Sequence, residues 1–302
     1  MSIDTSIGIA YERGRRCRIQ LCPAVGDTVC ISAILEKLSE EKGGKIIMSA
    51  LPSLHDLWLN NPYIKSINND AYPTINLIPC RCVPCNIVHH FAEQLNMNLP
   101  EPLKPKIYLT EAEIEWGKNI LKEFDGHKKI AISTETGVDG KNLRPNYIAP
   151  LFNKLKSRGY KLIRVGVGSQ DTYDGYDKSF YNKTTLRQAF NIMNACDLFI
   201  GIDCGLFHCA VALNLPQVIF FRNNLSSNNK YSDTFYIDSS IKCQGTCLNH
   251  ISVCKGSIRC MDSFDLYRYY QLIEKCINVG KSDIEARING FNTFNIHTDG
   301  IY

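Results

Sequence analysis

The stretch DLFIGIDCGLFHCAVALNLPQVIFF, residues 197–221, decides how this chain folds. Asp197–Ile202 and Gln217–Phe221 are apolar runs of strand length. Between them lie a polar turn, a helical Ala210–Leu213 and the breaker Asn214-Leu215-Pro216. Strand, turn, short helix, strand is the repeat of a parallel α/β sheet. The turn Asp203–Ala210 then stands at the carboxyl end of a strand, where open parallel sheets bind ligands. A helix beginning there aims free backbone N–H groups outward, so the expected guest carries a phosphate.

The same alternation extends in both directions. Downstream of residue 126, strands are predicted at Lys129–Ser133 and Tyr160–Gly166, with helices at Tyr147–Arg158, Thr185–Ala195 and Asp265–Asn278. Upstream, Cys17–Cys22 reads as a first strand, Pro23–Asp27 as a turn and Thr28–Leu38 as a helix closed by Gly43-Gly44. Lys45–Ala50 and Tyr63–Ile67 read as further strands, with a short helix over Ser53–Leu59. This half is therefore also expected to be a parallel, helix-covered sheet. Asn68–Lys106 is irregular apart from a helix at Ile87–Leu95, and Glu111–Phe124 is a clearer helix with Thr110 as N-cap. The break at Asp125-Gly126-His127 divides the chain into residues 1–125, residues 126–280 and a polar tail, 281–302. No repeat of solenoid period occurs, though the halves share one architecture.

Composition excludes several classes. The 302 residues are 44% hydrophobic and 21% charged, enough for a sizeable core. A net charge of +4, with only the short Arg13-Gly14-Arg15-Arg16 run, argues against a nucleic-acid partner. No apolar run reaches membrane-span length, and Met1–Asp4 does not open a secretory signal. The expectation is a cytoplasmic protein with at most peripheral membrane contact. There are 14 cysteines. Cys17, Cys22, Cys30, Cys196 and Cys276 lie singly in apolar runs and read as small hydrophobes. Cys80, Cys82 and Cys85 form one cluster, able to bind a metal with an outside ligand or simply to pack. Cys243, Cys247, Cys254 and Cys260 form a second, spaced C-x3-C-x6-C-x5-C. Structural zinc or iron, free thiols and disulfides all remain open there.

Four segments carry candidate chemistry. Gly26-Asp27 follows the first predicted strand; Asp27 is either a helix N-cap or a general base for an acceptor hydroxyl. The loop Thr134–Gly140 with Lys141 and Arg144 suits a diphosphate, or is a solvated surface loop. Gly166-Val167-Gly168 allows close backbone approach to a ligand, with Gln170 and Asp171 in reach of a ribose, or is a simple turn. In the opening motif, Asp203, Cys204, Gly205 and His208 cluster at the sheet edge, where His208 either meets a phosphate or caps backbone.

These motifs, in this order, resemble glycosyltransferase family nine, the heptosyltransferases of lipopolysaccharide assembly. Ala24–Val29 is similar to the family's Gly-Asp turn, Lys141–Pro145 to its Lys-x-Trp-Pro region without the tryptophan, and Thr184–Gly201 to the helix and strand leading into the donor motif. Asp203–Pro216 resembles Asp-Thr/Ser-Gly-x-x-His-x-x-Ala-Ala-x-x-x-Pro, with Cys204 in place of the hydroxyl residue. The resemblance covers about Arg16–Cys276 and implies two Rossmann-like domains facing a cleft, the GT-B arrangement, here with a shortened N-terminal domain. It implies Asp27 as catalytic base and Gly26, Lys141, Arg144, Gly168, Asp203, Cys204, Gly205 and His208 around a nucleotide-diphosphate sugar, ADP-heptose being the donor suggested. It implies an inverting transfer to a glycan, lipopolysaccharide-core or protein hydroxyl, with no cofactor required. A branch of the family carries a cysteine-bound iron, which adds weight to a metal at Cys243, Cys247, Cys254 and Cys260. Two other readings stay open: a nucleotide-sugar epimerase of the same architecture, and a non-catalytic binding or assembly protein.

Overall fold

The computed structural model describes residues 7–10, 24–49, 52–67, 76–77, 86–99, 103–137, 139–168, 173–221, 231, 234–236, 239–241 and 259–279. The strand expected at Cys17–Cys22, the cluster Cys80–Cys85, and Cys243, Cys247 and Cys254 lie outside these residues, as does the tail from residue 280.

The N-terminal half opens with strand β1 (Ile7–Ala10) and helix α1 (Val25–Cys30). The helix expected at Thr28–Leu38 is interrupted: a 3-10 turn, Ile31–Ala33, separates α1 from α2 (Leu35–Lys42). Strands β2 (Ile46–Ser49), β3 (Ile64–Ile67) and β4 (Asn76–Leu77) follow, with a 3-10 segment, Pro52–Leu57, between the first two. Helices α3 (Ile87–Gln94) and α4 (Glu111–Ile120) complete this half. The sheet order is β3-β2-β1-β4. Only β2 and β3 run parallel; β1 is antiparallel to both of its neighbours. The expectation of an all-parallel N-terminal sheet is thus corrected. A parallel neighbour needs a crossover connection, whereas an antiparallel one does not, and periodicity within a strand carries no information on its direction.

The C-terminal half follows its expected pattern closely. Strand β5 (Lys129–Ser133) is followed by α5 (Pro145–Ser157), β6 (Lys161–Arg164) and a two-residue β7 (Lys178–Ser179). Then come α6 (Leu186–Asn194), β8 (Leu198–Ile202), α7 (Gly205–Ala212), β9 (Gln217–Phe220), β10 (Thr234–Tyr236) and α8 (Leu266–Val279). Local chemistry sets several of these ends. Pro145 occupies the first turn of α5, and Thr185 with Gln188 forms a capping box on α6. The strands lie in the order β10-β9-β8-β5-β6-β7, all parallel. The winding direction reverses between β5 and β8, and the loops leaving these two strands diverge there into a crevice.

Strand alternation assigns the two faces of this sheet. Ile130, Ile132, Leu162, Ile200, Val218 and Phe220 join the core under α5 and α8, where Tyr269 stacks on Phe220 with ring centroids 3.8 Å apart. Ala131, Ile163, Phe199 and Ile219 face the other way. Their core includes Phe190 of α6 and Phe207 of α7 and runs on into Val29, Ile34, Trp58 and Phe91 of the N-terminal half. One apolar core therefore spans both halves.

A buried arginine ties them further. Arg187, on α6, places Nε 2.5 Å from Glu113 Oε1 and Nη2 2.8 Å from Glu113 Oε2 on α4. It also donates to the carbonyls of Asp56 and Tyr108. Beside it, α4 and α6 cross so closely that a Cβ on Gly117 would collide with the Asn191 carbonyl. The guanidinium holds the Glu113 carboxyl down at about 2, from 4.5. Because this folded value lies below the unfolded one, the stabilisation is complete above about pH 4.5 and is lost as pH falls through about 2. Arg187→Met is expected to cost about 3 kcal/mol at neutral pH by leaving Glu113 without its partner. Urea unfolding should show the gap between wild type and variant narrowing across that acid window.

Candidate functional site

The site begins with two glycines. Gly26, in the first turn of α1, and Gly205, opening α7, face each other across the seam between the halves. A Cβ on Gly205 would lie 2.9 Å from Val25 Cβ and 3.1 Å from Gly26 N. One on Gly26 would lie 3.3 Å from Gly205 Cα and 3.0 Å from His208 Cδ2. Two helix N-termini therefore meet with backbone nearly against backbone.

This arrangement changes the reading of Asp27. The N-cap of α1 is Ala24, so Asp27 is not the cap; it stands one turn inside the helix, half-buried. A carboxylate in that first turn is favoured by the helix dipole. Burial pushes the Cys30 thiol up, and the Asp27 and Asp203 carboxylates push it further, which puts both acids within electrostatic reach of Cys30.

Opposite α1, the loops leaving β5 and β8 are joined by charge. The 3-10 turn Asp139–Lys141 brings Lys141 Nζ to 2.7 Å from Asp203 Oδ2 and 3.4 Å from the Asp203 carbonyl. Both side chains are mostly shielded, with 21% and 14% exposure. Cys204 is the N-cap residue of α7. Burial raises its thiol. The Phe207 N–H donates to the Cys204 carbonyl at 3.2 Å, and the thiol makes no capping hydrogen bond to the start of α7.

His208 lies one turn further along α7 and is 5% exposed. Its Nδ1 is 3.0 Å from the Tyr231 hydroxyl and 3.4 Å from Cys30 Sγ. Burial lowers the imidazole to about 4; Asp203 opposes that shift and Lys141 adds to it. The ring is therefore neutral at physiological pH.

The remaining expected residues sit around this centre. Arg144 is the N-cap residue of α5, and its Nη1 lies 3.2 Å from Asp262 Oδ2. Arg259 reaches the same carboxylate at 3.8 Å and donates to the Asn142 carbonyl at 2.8 Å. The turn Cys260–Asp262 is thereby fastened onto the Lys141–Arg144 loop. Cys260 is half-buried there, while the other three thiols of its cluster lie outside the described residues. Among the described residues, no group of three or more His, Cys, Asp or Glu is arranged to hold a metal ion. Gly168 is clamped by Asn182, whose amide bonds its N–H at 3.1 Å and its carbonyl at 3.0 Å. A Cβ at Gly168 would strike the Tyr181 hydroxyl, so a tyrosine already demands the glycine.

Two groupings escaped the sequence. Glu135 accepts from Tyr181 and pairs with the buried Arg164 at 3.5 Å, and the guanidinium lies 3.6 Å from the centre of the Tyr181 ring. Glu135 was legible only as part of a polar loop. Cys30 and Tyr231 join His208 across 178 and 23 residues of chain, and no local pattern links them.

Residues 87–230 match the model of glycosyltransferase family 9 (heptosyltransferase). This stretch is similar to that family. It carries Lys141, Arg144, Gly168, Asp203, Cys204, Gly205 and His208, while Gly26 and Asp27 precede it. The enzyme class it gives is glycosyltransferase. No curated protein sequence matches the chain. Solved structures share its fold. A family 9 glycosyl transferase from Veillonella parvula is 13% identical, with a TM-score of 0.67 over 84% of this chain and 94% of that one. The ADP-heptose LPS heptosyltransferase II of E. coli is 15% identical, with a TM-score of 0.56 over 83% and 97%. TibC from enterotoxigenic E. coli, a dodecameric iron-containing heptosyltransferase solved with ADP-D-β-D-heptose, is 15% identical, with a TM-score of 0.60 over 82% and 74%. No described helix is long and apolar enough to cross a membrane.

The glycine contact yields a direct test. Gly205→Ala is expected to force α1 and α7 apart at a cost of about 2 kcal/mol. Gly137→Ala, where a Cβ meets nothing within 4 Å, should be close to neutral. Thermal unfolding of the two variants checks the difference.

Proposed function

We propose that the chain is an inverting glycosyltransferase that moves a sugar from a nucleotide-diphosphate donor to a hydroxyl acceptor. The observation that carries this reading is the meeting of α1 and α7 at Gly26 and Gly205, beside the Lys141–Asp203 pair at the reversal point of the sheet. It brings an acid from one half near a cation and a helix terminus from the other.

In this reading Asp27 takes the proton of the acceptor hydroxyl as its oxygen attacks the anomeric carbon from the face opposite the leaving diphosphate. Configuration inverts because attack and departure occur on opposite faces. Lys141 turns from Asp203 to the diphosphate and neutralises the charge that develops as the glycosidic bond breaks. The N–H groups at the start of α7, which the Cys204 thiol does not cap, add their dipole and donate to a phosphoryl oxygen. Gly205 leaves room for that approach. Arg144 and Gly168 complete the donor side. Residues 1–125 serve the acceptor and residues 126–280 the donor. The likeness to the ADP-heptose LPS heptosyltransferase II and to TibC bound to ADP-D-β-D-heptose favours that donor, and a glycan, lipopolysaccharide core or protein supplies the hydroxyl at the cytoplasmic side. Transfer proceeds without a metal, and an ion held by Cys243, Cys247, Cys254 and Cys260 has a structural role.

Asp27→Asn is expected to abolish transfer while ADP-heptose binding, followed by calorimetry, stays within about twofold of wild type, since an amide keeps the shape but cannot take the proton. Lys141→Ala should instead weaken binding about tenfold or more, through loss of a charged hydrogen bond. Full activity in Asp27→Asn removes the base assignment. Conversion of the donor without any acceptor would point to epimerisation instead, and no binding of ADP-, UDP- or GDP-sugars would point to a non-catalytic protein.

A further inference from the structure

One residue, Asn182, holds the loop that leaves β6. Its N–H donates to the Gly166 carbonyl at 3.0 Å. Its side chain then reaches on to Gly168: Oδ1 accepts the Gly168 N–H at 3.1 Å, and Nδ2 donates to the Gly168 carbonyl at 3.0 Å. Gly166 stands at φ +110° and Asn182 at φ +55°. The first value needs a glycine. The second is one that asparagine accepts more readily than most residues, at a turn closed by the Lys183 N–H on the Phe180 carbonyl.

The clamp extends the sheet past its last strand. β7 pairs in parallel with β6, and the Phe180 and Asn182 N–H groups carry that ladder to the carbonyls of Arg164 and Gly166. There the edge chain turns away, and the Asn182 carboxamide takes the place of the next peptide unit, setting one acceptor and one donor against a single residue. From the Cα side, Gly168 is met by the Tyr181 hydroxyl, and Tyr181 is itself stacked on the Arg164 guanidinium at 3.6 Å. Val167, between the two held glycines, is 67% exposed, so this order does not serve to bury it. The loop borders the site already described. A Cβ on Gly166 would lie 3.2 Å from Ser133 Oγ, at the end of β5, and 3.3 Å from Leu206 Cδ1, in the first turn of α7.

We infer that Asn182 is a positioning residue that holds Gly166–Gly168, and with it Val167, as the seat of the nucleoside half of the donor. The inference rests on the glycosyltransferase reading above. With the diphosphate at Lys141 and the start of α7, over β5 and β8, the nucleoside extends to the next strand of the same half, which is β6. Val167 gives its rings an apolar contact. Asn182 keeps that contact formed before the ligand arrives, so binding does not bear the cost of ordering the loop.

Calorimetry on the full-length protein tests this with two kinds of probe. ADP, UDP and GDP carry a nucleoside; inorganic pyrophosphate does not. Asn182→Gly keeps the left-handed turn and removes the carboxamide. It is expected to bind the nucleotide that the wild type prefers about tenfold more weakly, with pyrophosphate affinity within about twofold. Hydrogen exchange at the Gly168 N–H should quicken in the same variant. Val167→Ser, which leaves the clamp intact, should lose about threefold for the nucleotide and nothing for pyrophosphate. Unchanged nucleotide affinity in either variant overturns the inference. So does an equal loss for pyrophosphate in Asn182→Gly, which would mark a general loosening of the sheet end. If none of the three nucleotides binds the wild type, the glycosyltransferase reading fails and this seat with it.

Discussion

The structure depends on one close approach, that of α1 to α7 at Gly26 and Gly205. A methyl group at Gly205 would meet Val25 Cβ at 2.9 Å, and one at Gly26 would press on His208 at 3.0 Å and on Gly205 Cα at 3.3 Å. Removing both side chains lets two helix N-termini share one seam. That shared seam is what brings Asp27 from the N-terminal half into the same electrostatic field as Asp203 and Lys141 from the other. A wider helix separation would leave each half with its own loops and no common site.

Around this contact the fold supplies rigidity on the outside and unspent polarity within. The continuous core from Trp58 and Phe91 to Phe199 and Phe207, together with the Arg187–Glu113 clamp, resists sliding of one half over the other. At the centre, the charged groups that bear on donor binding are held against partners within the protein. Lys141 rests on Asp203, and the Phe207 N–H of α7 rests on the Cys204 carbonyl. The ion pair is not a dead end, because a phosphate offers Lys141 a second anion. The Cys260–Asp262 turn closes the far side, where Asp262 collects Arg144 and Arg259 and braces the Lys141 loop from behind.

Elements with strong local signals were legible before any coordinates. Apart from α7, which begins at Gly205, five residues ahead of its expected start, and the unforeseen short strands β7 and β10, the C-terminal strands and helices lie within a residue or two of their expected limits, because buried parallel strands are continuous apolar runs and their helices carry start signals such as the cap Thr185 and the first-turn Pro145. The turn after β8 was readable for the same reason. Three features were not. The break at Ile31–Ala33 interrupts a stretch whose periodicity is helical throughout. The antiparallel placement of β1 depends on which edge of β2 it finds, not on its own residues. Asp27 reads equally well as a cap from its neighbours, and only the start of α1 at Val25 moves it inside the helix.

The sequence by itself determined the class of fold, the ligand-competent turn after the strand at Asp197–Ile202 and the residue types gathered there, since these follow from hydrophobic period and turn chemistry within about 25 residues of chain; the strand order, and with it the reversal point, came from tertiary structure. Tertiary structure alone decided which groups meet. Cys30, His208 and Tyr231 come from segments up to 201 residues apart, and their hydrogen bonds arise only when α1 is seated on α7. Burial, too, is a property of the assembled seam. It makes His208 a neutral ring and raises the Cys204 thiol, because the low-dielectric surroundings that shift them are built from residues far away in the chain.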